Sequence, residues 1–103
     1  MNTQRNNYIV AFQFLKPDGN WSKWYPLDDY VNVQNGKVIG LMLLDLPSCN
    51  HHSIELESYY NNLERTQNAK TQFKFMPAQY NLKEQKVITI HDYDWSNHNV
   101  RTN

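Results

Sequence analysis

Asn35-Gly36 stands between two apolar runs, Tyr30-Val31-Asn32-Val33-Gln34 before it and Lys37-Val38-Ile39-Gly40-Leu41-Met42-Leu43-Leu44 after it. A two-residue type I′ hairpin loop needs positive φ at both central positions, and Asn followed by Gly accepts this readily. The pair therefore sets an antiparallel hairpin, and so a sheet, in the middle of the chain. Gly40 inside the second run marks a bulge or a close backbone approach. Pro47 is expected to close the segment.

Upstream, Tyr8 to Leu15 is rich in β-branched and aromatic residues. One face (Tyr8, Val10, Phe12, Phe14) is wholly apolar and the other nearly so, which suits a central strand covered on both sides. Pro17-Asp18-Gly19 follows, with Pro setting φ and Gly accepting φ > 0, so a turn leads to a returning strand from Trp21 to Tyr25. Pro26 ends that strand or confines it to an edge.

Downstream, Ser53 to Gln67 reads as the helix. Leu56, Tyr59, Tyr60 and Leu63 fall at i, i+3, i+4 and i+7 and form one apolar stripe. Asn50 or Ser53 is the expected cap. A strand is the competing reading, because Ile54, Leu56 and Ser58 alternate with Glu55, Glu57 and Tyr59. Thr71 to Met76 then reads as a half-exposed strand ended by Pro77. Residues 77–85 form a connection with one turn's worth of helical potential, and Lys86 to His91 is the last strand. Val100 to Asn103 is a polar tail.

The order ββββαββ predicts an α+β fold: a mainly antiparallel sheet of about six strands with one helix on a face. The alternative is an all-β small barrel or sandwich, if residues 53–67 are a strand. The length of 103 residues suits a single domain, 1–103, and an aromatic content of 14% argues against a disordered chain.

Charge restricts function. Ten Lys+Arg balance ten Asp+Glu, so neither a phosphate-bound nucleic-acid binder nor an acidic DNA mimic is expected. The polar N-terminus has no signal-peptide core, and the longest apolar stretch, Val38 to Leu44, is far short of the about 20 residues that span a bilayer. The single cysteine, Cys49, makes no internal disulfide and sits in no catalytic or metal motif, which points to a reducing compartment. A soluble cytoplasmic protein without a cofactor is the expectation. Fourteen Asn against three Gly and three Arg suggest an AT-rich gene of the kind found in bacteria, phages and acquired islands.

Two polar clusters bear on chemistry. His91, Asp92, Asp94 and His98 crowd the C-terminal stretch. On a strand Asp92 and Asp94 share a face, where they would suit a hard cation, or zinc together with His91. Their spacing matches no metal motif, and a polar strand end running into a turn is the simpler reading. His51-His52 follow Cys49 closely, but neighbouring residues do not face one site in regular structure, so an exposed loop is the simpler reading.

The rings carry the leading functional expectation. Three Trp and seven Tyr exceed what a core of this size readily buries, and Trp and Tyr dominate interface hot spots. Trp21, Trp24, Tyr25, Tyr59 and Tyr60 are the candidate anchors of a partner-binding face, with Asp28, Asp29, Asp92 and Asp94 as its polar rim. A non-catalytic inhibitor of another protein, of the immunity or phage anti-defence type, is the first expectation. A small metal-dependent hydrolase using the His91–His98 cluster is the second. A small-ligand binder with an aromatic pocket is the third.

Overall fold

The computed structural model describes residues 6–90. Strand β1 (Ile9–Phe14) is central, as its two apolar faces require. It pairs antiparallel with the short β2 (Tyr25–Pro26) on one side and with β5 (Phe73–Asn81) on the other. The outer strand beyond β5 is β6 (Lys86–Thr89), which gives a four-stranded sheet of order β2-β1-β5-β6. The hairpin β3 (Val31–Gln34) and β4 (Lys37–Leu41) forms a separate two-stranded ribbon. The fold is α+β with antiparallel sheets, as the order of elements predicts.

The ribbon turns at Asn35 and Gly36, with φ of 55° and 76°, as a type I′ loop demands. Its register shifts between Asn32 and Val33, so Ile39 is the extra residue of a bulge and Gly40 lies opposite Asn32. Three links tie the ribbon to the rest. Met42 N–H donates to the Tyr30 carbonyl at 2.9 Å, and Tyr8 and Leu44 exchange backbone bonds of 3.0 and 2.8 Å. The third is the side-chain amide of Gln85, in the β5–β6 turn. Its oxygen accepts from Val38 N–H at 2.9 Å and its nitrogen donates to the Val38 carbonyl at 2.8 Å.

Helix α1 runs from Leu46 to Asn61, seven residues earlier at its start than the expected Ser53. Asp45 is the cap, its carboxylate accepting from Ser48 N–H at 2.8 Å. Pro47 lies in the first helical turn, where its missing N–H has no intrahelical partner to lose. Pro47 therefore opens the helix rather than merely closing the strand. Asn62 ends α1, and a short α2 (Glu64–Ala69) follows, closed by Lys70 at φ 57°. The all-β alternative is overturned by these helices.

The buried stripe of α1 also differs from the expected one. Cys49, Ser53 and Ile54 are buried, and Leu56 and Tyr60 pack on the core of Ile9, Val10, Tyr30 and Phe75, whereas Tyr59 faces outward and is 60% exposed. The Ser53 hydroxyl donates to the Cys49 carbonyl at 2.8 Å, which removes the cost of burying it.

Strand β5 passes through Pro77 instead of ending there. Strand alternation explains the tolerance. Gln72 O faces β1, accepting from Leu15 N–H at 2.9 Å, so the backbone nitrogens of Phe73, Phe75 and Pro77 point the other way. Strand β6 does not reach these positions, because its pairing with β5 stops at Ala78 and Thr89. Helix side chains fill in: Phe75 N–H donates to Glu57 Oε1 at 2.8 Å and Phe73 N–H to Asn61 Oδ1 at 2.8 Å. At Pro77 there is no N–H to satisfy. Residues 77–85 are accordingly strand and turn, not helical. No helix among the described residues is long and apolar enough to cross a membrane.

Candidate functional site

Helix α1 covers β5 and β1 but leaves the β2 side of the same sheet face open. Paired residues on neighbouring strands put their side chains on one face. The pairs Phe12–Tyr25, Phe12–Phe75 and Phe14–Phe73 therefore lay a continuous aromatic layer across three strands. Phe12 meets Tyr25, Phe73 and Phe75 with ring centroids 5.8, 6.5 and 5.9 Å away. From α1, Tyr60 stacks on Phe75 at 5.5 Å and leans on Phe73 at 6.0 Å.

The uncovered part of this layer is the floor of a groove of about 460 Å³, within the range of small-molecule sites. One wall is Tyr25 and Pro26 of β2 with Leu27 and Asp28 after them. The other is Tyr60 with Arg65 and Thr66 of α2. Arg65 is exposed, and Thr66 is only 5% exposed.

The structure distributes the expected anchors over several places. Tyr25, Tyr60 and Asp28 meet in the groove. Trp24, with Tyr25 at the shared rim, lines a second depression with Tyr80 and Val87, between the two edges of the curled sheet. Trp21 is half-buried under the Lys74 ammonium, 4.2 Å from the ring centroid. Tyr59 stands beside Leu63, Arg65 and Asn68 in a depression outside the groove. Asp29 is exposed in the 3-10 turn Asp28–Tyr30. His91, Asp92, Asp94 and His98 lie outside the described residues.

Residues that sequence reasoning passed over do as much. Phe12, Phe73, Phe75, Arg65 and Thr66 build half of the groove's lining. On another part of the surface, Leu41, Leu43, Leu82 and Ile88 line a depression of about 410 Å³ between the end of β4 and the β5–β6 hairpin. Leu43, Leu82 and Ile88 are 36%, 41% and 39% exposed, and Met42, next to Leu43 in the chain, is 60% exposed. The apolar run from Val38 to Leu44 was the available signal, since a two-stranded ribbon has too little protein around it to cover every such side chain.

The remaining polar contacts are structural. Tyr30 Oη and His52 Nδ1 are in hydrogen-bond contact at 2.8 Å, which ties the 3-10 turn to α1, and burial raises the Tyr30 phenol above its ordinary value. Cys49 is fully buried, and that burial, helped by the Asp45 charge, pushes its thiol up to about 12. A thiol so protonated is a poor nucleophile. Among the described residues no three His, Cys, Asp or Glu side chains gather where a metal ion could be held. Comparison of the chain with protein-family models, with curated proteins and with solved structures gives no match.

Proposed function

We propose that this chain is a non-catalytic module that binds another protein through the apolar surface shared by the β3–β4 ribbon and the β5–β6 hairpin. The observation that carries this reading is the convergence of Leu41, Leu43, Leu82 and Ile88 on one depression, which Asn7, Gln79, Tyr80 and Asn81 line with them. Burying an aliphatic side chain of this size is worth about 1.5–3 kcal/mol relative to leaving it in water. Collected exposed apolar residues mark interaction surfaces. The protonated, buried Cys49 supports the non-catalytic half of the reading.

In its finer form the module is an inhibitor that covers the working face of a toxin or a defence enzyme, over about 1,600 Å² of total buried surface. Trp24, at the rim of the second depression, is a further anchor for a partner of that size. Affinity capture from the cells of origin, with the wild type and with a Leu43→Asp, Ile88→Asp double variant, tests the reading. One protein retained by the wild type and lost by the folded variant is the expected result. Equal capture by both, or by neither, overturns it.

A further inference from the structure

The aromatic groove has three features that the protein-binding reading does not use. The first is its lining. Tyr25 touches the floor from one side through Phe12, and Tyr60 touches it from the other through Phe73 and Phe75. A planar ring laid on Phe12 between the two tyrosines would meet aromatic faces and edges at separations that favour stacking. The volume of about 460 Å³ holds a molecule of one or two rings rather than a helix or a strand.

The second feature is Thr66. It is about nineteen-twentieths buried, being 5% exposed, and it lines the groove. Its hydroxyl has no hydrogen-bond partner among the described residues. Every fully enclosed side-chain N or O atom among them does have one. The Thr66 oxygen therefore keeps some exposure, and Thr66 is one of the residues that line the groove. A hydroxyl without a protein partner at such a place is available to a bound group or a water.

The third feature is charge. Arg65, next to Thr66 on α2, carries the groove's one cationic side chain among its lining residues, and the salt bridges of the described residues engage other groups. A guanidinium presents paired donors that match a carboxylate. Asp28 stands on the opposite wall. It repels a second negative charge and accepts a hydrogen bond from a donor at the far end of the ligand.

We propose that this groove binds a small planar aromatic monocarboxylate, with its ring on Phe12 between Tyr25 and Tyr60 and its carboxylate at Arg65 and Thr66. A neutral donor at the other end of the ring, a hydroxyl or an amine, faces Asp28. The site is separate from the apolar surface of the ribbon, so it stands or falls without the protein-binding reading.

The probes are 4-hydroxybenzoate, benzamidine, which reverses the charge, and cyclohexanecarboxylate, which removes the ring's π-face. Amide shifts in nuclear magnetic resonance spectra report both affinity and place. The expected result is saturable binding of 4-hydroxybenzoate, with shifts centred on Tyr25, Tyr60, Arg65 and Thr66 and weaker binding of the other two probes. Arg65→Gln weakens it about tenfold and Thr66→Val, which keeps the shape, about fivefold. Val33→Ala, at an exposed position of the β3–β4 ribbon away from the groove, leaves it unchanged. Absence of binding at millimolar 4-hydroxybenzoate overturns the proposal. So does equal binding of benzamidine, or unchanged affinity in a folded Arg65→Gln protein.

Discussion

Asn61 pairs with Phe73 as a residue of a neighbouring strand would. Phe73 N–H donates to Asn61 Oδ1 at 2.8 Å, and Asn61 Nδ2 donates to the Phe73 carbonyl at 3.0 Å. One helix turn earlier, Glu57 accepts from Phe75 N–H. Together these side chains close the edge of β5 that β6 does not reach. Asn61→Ala leaves a half-buried N–H and C=O without partners, so it is expected to destabilise the fold by about 2 kcal/mol. Urea unfolding measures this. Because the same change loosens α1 from the groove floor, the Tyr60–Phe73 contact is expected to loosen with it.

Gln85 does the same for Val38 across 47 residues of sequence. Gln85→Ala is expected to cost about 1 kcal/mol, and less than Asn61→Ala because the ribbon keeps its links at Tyr8–Leu44 and Tyr30–Met42. Hydrogen exchange distinguishes the two variants. Faster exchange confined to the ribbon, Val38 N–H foremost, is the expected pattern for Gln85→Ala.

Cys49 gives a pH prediction in the alkaline range. Its thiol is moved from an ordinary 9.0 to about 12 by burial first and by the Asp45 charge second. The unfolded chain therefore loses this proton before the folded one does. Stability is unaffected by Cys49 below about pH 9 and falls as pH rises from there towards 12. Burial of Tyr30 and Tyr80 raises both phenols and acts in the same direction. Cys49→Ala is expected to flatten the alkaline loss. In the wild type at pH 8, iodoacetamide is expected to modify Cys49 at about a thousandth of the rate of a free thiol, since about that much less thiolate is present.

Asp45 gives the acid counterpart. Hydrogen bonding from Ser48 holds its carboxyl below the ordinary 3.8. A carboxylate depressed in this way contributes stability that is complete above its unfolded pKa and is lost as pH falls through the folded one. Asp45→Ala is therefore expected to lower the thermal midpoint at neutral pH and to converge on the wild type in strong acid. Asp45→Asn keeps an acceptor for Ser48 N–H and is expected to lose less.

Much of the fold is legible in local chemistry. Asn35-Gly36 names its own turn, and the two apolar faces of residues 8–15 announce a central strand. Two of the errors fall at prolines, whose effect depends on neighbours. Pro47 reads equally as the end of a strand or the first turn of a helix, and only the capping contact from Asp45 to Ser48 decides it. Pro77 reads as a strand end until the side of β5 that lacks a partner strand is known. The groove was less legible still. Its residues come from β1, β2, α1, α2 and β5, and Arg65 and Thr66 look like an ordinary solvated helix end until the fold sets them beside Tyr60. Tyr59 and Tyr60 are adjacent in sequence, yet one lines the groove and the other faces solvent.

The protein-binding surface is tested most directly by a photo-crosslinking residue placed at Met42, with a second placed at Asn68 on the exposed side of α2, in the cells of origin. Met42 is 60% exposed and lies in the chain between Leu41 and Leu43, which line the depression with Leu82 and Ile88. One discrete crosslinked protein is expected at Met42, absent at Asn68 and abolished by Leu82→Asp. No crosslink at Met42, or the same product from both positions, would contradict it.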